Sequence, residues 1–156
     1  MKENLFLKFK EELAQIYHIG SAIAVLHWDE KVNMPPRGTS ARAVTISNLA
    51  GILHQKFVSP EFEKILKDVK KEMDRGNLND EESGVVREIW RDFERSKKIP
   101  TEFVKELAKT CSEAHDVWVK ARKKSEFKKF LPYLKKIVEL KRREAKLVGY
   151  DDSPYD

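Results

Sequence analysis

Apolar side chains recur at alternating spacings of three and four residues along most of this chain. This spacing follows the 3.6 residues of an α-helical turn, and no segment shows the strict alternation that is typical of a half-buried β-strand. The longest such series contains Phe6, Phe9, Leu13, Ile16, Gly20, Ile23 and His27. The pattern therefore predicts an all-α fold.

Proline residues mark several helix boundaries. Pro35 and Pro36 should end the first helix, because a proline disfavours helical geometry in the residue before it. Ser59-Pro60-Glu61 predicts a new helix start, since it combines a capping hydroxyl, a proline in the first turn and an acid favoured by the helix dipole. Pro100 opens another helix, and Pro132 should either begin the last long helix or kink its first turn.

Polar residues and glycine mark the remaining boundaries. Thr39 or Ser40 can cap the second helix, and Asn79 can cap the fourth. A break near Ser125 separates the last two helices, and Gly149 suits the C-terminal end of the sixth. Because short linkers between long helices favour an antiparallel bundle or array, we predict one domain over residues 1–156. It should contain five or six helices, with the two longest paired antiparallel.

The composition excludes several classes of protein. Hydrophobic residues make up 40% of the chain and charged residues 37%, and eight Phe and three Trp argue against disorder. Cys111 is the single cysteine, so no intrachain disulfide can form, and its spacing predicts a buried position beside Leu107 and Trp118. No apolar run approaches the roughly 20 residues of a membrane span, and no leader precedes the first helix. We therefore expect a cytoplasmic protein without membrane contact.

The net charge of +5 is unevenly distributed along the sequence. Residues 95–149 hold 17 basic and 7 acidic side chains, which would allow an anionic partner. The aromatic residues among them have the spacing of a core, and no known nucleic-acid motif is present. We interpret the basic run as a solvated helix face, and binding to nucleic acid or another polyanion remains the alternative hypothesis.

No residue of this sequence is predicted to be catalytic, to bind a cofactor or to ligate a metal. His27 and Asp29 are two positions apart, so on a helix they point to different faces, and no third ligand lies near them in sequence. We expect His27 and Trp28 to pack at the helix end, with Asp29 tying the following turn by hydrogen bonds. Paired acids such as Glu11 and Glu12 are explained by solvated helix faces.

Residues 27–42 read His-Trp-Asp-Glu-Lys-Val-Asn-Met-Pro-Pro-Arg-Gly-Thr-Ser-Ala-Arg. This stretch resembles the N-terminal signature of the thermostable metallocarboxypeptidase family. Further similarity to that family lies in residues 49–54, in residues 79–95 and in several stretches between 127 and 156. The signature positions, which we interpret as structural, are His27, Trp28, Asp29, Met34, Pro35 and Arg42.

The resemblance implies a relation to HExxH zinc enzymes that release residues from the C-termini of peptides. Members of that family are about three times longer, commonly form homodimers, and use their N-terminal helices as a wall or lid along the substrate groove. Their zinc, or another divalent metal, is bound by a later part of the chain. None of the four histidines here begins an HExxH motif, so the resemblance implies no metal site and no catalytic residue in this chain.

Three hypotheses follow from this resemblance and from the charge distribution. The first is an N-terminal or truncated relative of the family, inactive by itself, whose exposed apolar surface drives self-association or binding to a companion chain. The second is a basic helical module that binds a polyanion. The third is an active enzyme assembled from this chain and a separate zinc-bearing chain.

Overall fold

A computed structural model describes residues 2–35 and 37–154 of the chain, with side chains described from residue 5 onward. This part contains six α-helices and no β-strand, which confirms the predicted all-α class. The helices are α1 (Lys2–Val32), α2 (Thr39–Phe57), α3 (Pro60–Asp74), α4 (Asp80–Ser96), α5 (Thr101–Lys123) and α6 (Phe127–Val148). None of these helices has the length and hydropathy needed to cross a lipid bilayer.

Several predicted caps are confirmed. The Ser59 side chain accepts a hydrogen bond from the Phe62 N–H at 3.1 Å, which begins α3. Asn79 and Glu82 form a reciprocal capping box at the start of α4, with distances of 2.9 and 3.0 Å. Gly149 ends α6 with a φ of 92°, a backbone conformation that favours glycine.

Two boundary predictions are wrong. Neither Thr39 nor Ser40 caps α2, because the cap position is Gly38 and no side chain caps that end. Gly38 has helical dihedral angles, which place Thr39 inside the helix and leave its buried Oγ1 without a hydrogen-bond partner. Pro132 neither begins α6 nor lies in its first turn, since the helix starts at Phe127 and continues through the proline. Pro36 lies outside the described residues.

The main hydrophobic core lies where α1, α3 and α4 meet. Phe62 is at its centre, with its ring centroid 6.1 Å from that of Phe9 and 5.4 Å from that of Phe57. The buried members are Phe9, Leu13, Ile16, Phe62, Leu66, Val69, Val86, Ile89 and Phe93. Aromatic rings from α1, α2 and α3 therefore pack together in this core.

Helix α2 connects this core to the second half of the chain. It packs against α1 on one side and closely against α5 on the other, and α5 in turn packs against α6. The approach to α5 is close at Gly51, where a Cβ atom would lie 2.8 Å from Lys105 Cγ. The expected pairing of the two longest helices, α1 and α5, is wrong, because α2 is the main neighbour of α5 and also packs on α1.

Candidate functional site

The signature residues lie at the junction of α1 and α2, where Arg42 reaches back from α2 to the end of α1. Its guanidinium donates one hydrogen bond to the Leu26 carbonyl at 2.8 Å and another to the Asp29 carboxylate at 2.5 Å. The Asp29 carbonyl also accepts from the N–H groups of Asn33 and Met34, at 2.9 and 3.0 Å. Asp29 therefore ties the turn as predicted, and its side chain fixes the entry to α2 through Arg42.

A second attachment of α1 involves Glu30, whose side chain is only 4% exposed. Its carboxylate accepts a hydrogen bond from the hydroxyl of Ser112, a buried residue of α5, and lies 3.4 Å from His27 Nδ1. Sequence reasoning missed this contact, because 82 positions separate Glu30 from Ser112. The one sequence signal for the contact is an acidic residue next to the apolar series of α1. The contact ties the C-terminal half of α1 to α5.

Among the other signature residues, Trp28 is more exposed than expected. Trp28 is predicted to pack at the helix end, but the residue is 60% exposed. Met34 is half-buried, and Pro35 is exposed while its carbonyl accepts the Gly38 N–H at 2.8 Å. The signature is thus a polar helix junction with one exposed indole.

The four histidines do not assemble a metal centre. His54 is buried with both ring nitrogens engaged, Nδ1 by Thr101 Oγ1 at 3.0 Å and Nε2 by the Ser96 carbonyl at 3.1 Å. His27 faces Glu30, and the His115 ring lies tilted beside Trp118 with 5.8 Å between ring centroids. Within residues 2–35 and 37–154, no three His, Cys, Asp or Glu side chains come together as ligands. These donors do not form a zinc site, so no catalytic step is assigned to them.

Cys111 does not occupy the predicted core position, because the residue is exposed on α5. Partial burial of its thiol nevertheless raises the pKa of Cys111, and the nearby Lys141 and Glu144 charges have smaller, opposing effects. A raised thiol pKa disfavours the reactive thiolate, so the site does not suit a nucleophile. Trp118 is also exposed, whereas the buried residues of α5 are Phe103, Thr110, Ser112, Ala114 and Ala121.

Many side chains of the basic run are already paired on the protein. Lys120, Lys129 and Lys141 each contact an acid one helical turn away, at 2.6 to 2.7 Å. Arg122 and Arg143 lie over aromatic rings, both 5.2 Å from the ring centroid. These pairings are typical of a solvated helix face, in line with the first interpretation of the run.

A groove of about 1140 Å³ lies between α6 on one side and α1, α2 and α4 on the other. At one end of the groove, Lys98 Nζ donates a hydrogen bond of 2.7 Å to the Val148 carbonyl. Its apolar lining keeps partial contact with solvent at several positions. These are Leu53, Phe57, Ile99, Ile137 and Val148.

Two cations at this groove have no ion-pair or hydrogen-bond partner among the described residues. Arg95 and Arg142 line it, and neither guanidinium makes an ion pair or hydrogen bond with any other described residue. The other charges are compensated, because Lys141 pairs with Glu144 at 2.7 Å and Asp92 lies 3.5 Å from Arg91. The groove therefore combines an apolar floor with two uncompensated positive charges.

Helix α1 also presents a row of exposed apolar side chains away from the core. Trp28 is 60% exposed, and the other large members are comparably accessible. They are Leu7, Tyr17, Val25 and Val32. A helix that is apolar on two faces is typical of one that packs on both sides.

Comparison with known proteins identifies relatives of this chain. Residues 8–156 match the sequence profile of a family described as Carboxypeptidase Taq (M32) metallopeptidase. Thermostable carboxypeptidase 1 of Pyrococcus furiosus is 39% identical over 142 residues, which are 91% of this chain and 28% of that protein. Carboxypeptidase 1 of Bacillus subtilis is 30% identical over 149 residues, or 96% of this chain and 29% of that one. The chain thus spans less than a third of the curated relatives it matches.

Solved structures resemble the same region. The structure described as "BsuCP Crystal Structure" superposes with a TM-score of 0.92 at 29% identity, covering 98% of this chain and 30% of that one. The Pyrococcus furiosus carboxypeptidase structure, described as "Apo-Mg", gives a TM-score of 0.73 at 36% identity, with coverages of 97% and 30%. The profile match, the identities and the helical fold agree. This chain belongs to the Carboxypeptidase Taq (M32) metallopeptidase family.

Proposed function

We propose that this chain supplies a helical wall of the substrate groove in a metallocarboxypeptidase, and that it does not hydrolyse peptides by itself. One observation carries the proposal: the family match extends over residues 8–156, yet the chain spans only 28–30% of its relatives and contains no HExxH motif. Hydrolysis by a zinc peptidase needs such ligands and a glutamate base. A region with the family's helices but without these groups suits a supporting role.

The surface of the molecule supports a role that depends on a partner. The open groove and the exposed row on α1 leave apolar side chains accessible to a partner. A companion polypeptide carrying the remaining functions of the family would cover such surface. Self-association through the same surface is the second possibility.

A chimera tests this proposal. Residues 8–156 of this chain would replace the matched 28% of Pyrococcus furiosus carboxypeptidase 1. We expect the chimera to release the C-terminal residue of an N-blocked dipeptide, whereas the same enzyme with that region deleted does not. The isolated chain should show no release and no stoichiometric zinc after purification.

Two outcomes would overturn the proposal. Peptide hydrolysis by the isolated, homogeneous chain would refute its inactivity. A chimera that is folded, as judged by far-UV circular dichroism and a cooperative thermal transition, but remains inactive with bound metal would refute the supporting role.

A further inference from the structure

We propose that the groove between α6 and helices α1, α2 and α4 is a docking site for an amphipathic helix whose apolar stripe is flanked by carboxylates. This inference rests on the proposed function, because it names the chemistry of the polypeptide partner. It is carried by three features on this surface: the size of the groove, the two unpaired arginines and a glycine that the fold itself does not require.

The size and lining of the groove favour a polypeptide over a small molecule. Sites for small molecules usually enclose about 300–1,000 Å³ and cover most of the ligand. This groove is larger, at about 1140 Å³, and open to solvent. Its walls are helices, and apolar grooves between helices commonly receive one apolar face of another helix.

The charges in the groove favour a partner helix with acidic residues on both sides of its apolar stripe. Arg95 on α4 and Arg142 on α6 lie on opposite sides of the groove, and neither is compensated within the described chain. Carboxylates on both flanks of the partner could pair with both guanidinium groups. A partner flanked by lysines would instead meet like charges, which disfavours the complex.

Gly20 adds a further observation at the floor of the groove. It lies inside the 31-residue helix α1, where glycine is unfavourable relative to alanine. Packing on α2 does not require it, because a Cβ atom there would lie 3.5 Å from Leu53 Cδ1, an ordinary contact distance. The missing side chain leaves a notch that allows close approach of a partner's backbone.

Two labelled synthetic peptides test the proposal on the intact chain. Both carry the same Leu/Ala stripe, one flanked by Glu and the other by Lys, and binding is measured by fluorescence anisotropy. We expect the Glu-flanked peptide to bind at least tenfold more tightly and to lose affinity with added salt. The double variant Arg95→Glu/Arg142→Glu should reverse that preference, whereas Lys8→Glu/Lys64→Glu, at exposed positions outside the groove, should not.

Filling the notch provides a test that does not depend on charge. Gly20→Leu should weaken binding of the Glu-flanked peptide at least tenfold. Gly84→Leu, at a glycine of α4 where the nearest atom to an added Cβ is Arg87 Nη2 at 4.0 Å, should leave binding unchanged. Gly20→Ala, which we expect to fold well, shows whether even a methyl group blocks docking.

The outcomes separate this inference from the proposed function. Equal binding of both peptides, no binding of either, or insensitivity to the arginine reversal would overturn the inference while the chimera can still be active. Self-association that Arg95→Glu/Arg142→Glu abolishes would also overturn it, because the occupant would then be a second copy. An inactive chimera combined with charge-selective peptide binding would instead overturn the proposed function alone.

Discussion

Replacing Gly20 by alanine should stabilise the isolated chain. Gly20 lies in the interior of α1, where glycine costs about 1 kcal/mol relative to alanine. The new methyl group would lie 3.5 Å from Leu53 Cδ1, so packing strain should not offset the gain. We expect the free energy of unfolding to rise by about 0.5–1 kcal/mol, which corresponds to a Tm increase of roughly 1–4 °C for a domain of this size.

The other helical glycines provide matched controls for this experiment. Gly84→Ala in α4 should stabilise by a similar amount, because the nearest atom to its new Cβ is Arg87 Nη2 at 4.0 Å. Gly51→Ala should bring no gain or destabilise, because its Cβ would lie 2.8 Å from both Cγ and Cδ of Lys105. Urea unfolding followed by far-UV circular dichroism measures all three. A loss of stability in Gly20→Ala, or an equal gain in all three variants, would refute the reasoning.

Three other predictions concern the helix junctions and the thiol. Arg42→Ala should lower the free energy of unfolding by about 2 kcal/mol in the same urea assay, because two charge-assisted hydrogen bonds to the end of α1 are lost. The control Arg37→Ala, at an exposed position, should change the free energy of unfolding by less than about 0.5 kcal/mol. Equal effects of the two substitutions would contradict the role of Arg42 at the junction. His54→Ala should lower the free energy of unfolding by about 2–3 kcal/mol, because it removes a buried ring and its hydrogen bonds. The control His18→Ala, at an exposed position, should leave the free energy of unfolding nearly unchanged. No loss of stability in His54→Ala would refute the prediction. Partial burial raises the pKa of the Cys111 thiol, so alkylation by iodoacetamide at neutral pH should be slower in the folded than in the urea-unfolded chain. The alkylation rate of the folded chain should increase with rising pH. Equal rates in the folded and unfolded chains would contradict the raised pKa.

Local signals predicted most helix boundaries, because a cap depends on residues three or four positions apart. Ser59 and Asn79 behave as expected, since the backbone before each helix is extended and lets the side chain reach the first N–H groups. Thr39 and Ser40 fail because Gly38 already has helical dihedral angles, with φ −82° and ψ −13°. That geometry depends on the preceding turn, which no short motif in the sequence specifies.

The exposure of individual faces was harder to predict, because it depends on which helices become neighbours. Cys111 and Trp118 share the apolar spacing of α5, but the helix buries Thr110, Ser112 and Ala114 instead. Small side chains suit the close approach of α2, and hydrophobic spacing alone does not reveal that preference. The contact between Glu30 and Ser112 is likewise invisible in the sequence, although the signature itself marked the correct helix junction.

The two attachments of α1 have a consequence for its motion. The helix is about 46 Å long at 1.5 Å per residue, and its buried apolar residues, Phe9, Leu13 and Ile16, all lie in its N-terminal half. Beyond Gly20, α1 is held to the rest of the protein mainly by the hydrogen bonds that Arg42 and Ser112 donate to it and by half-buried side chains. Amide hydrogens of the distal half should therefore exchange with deuterium through partial opening, at lower free energy than those around Phe9. The N-terminal half of α1 is thus anchored in the core, whereas its C-terminal half can detach when two polar contacts break.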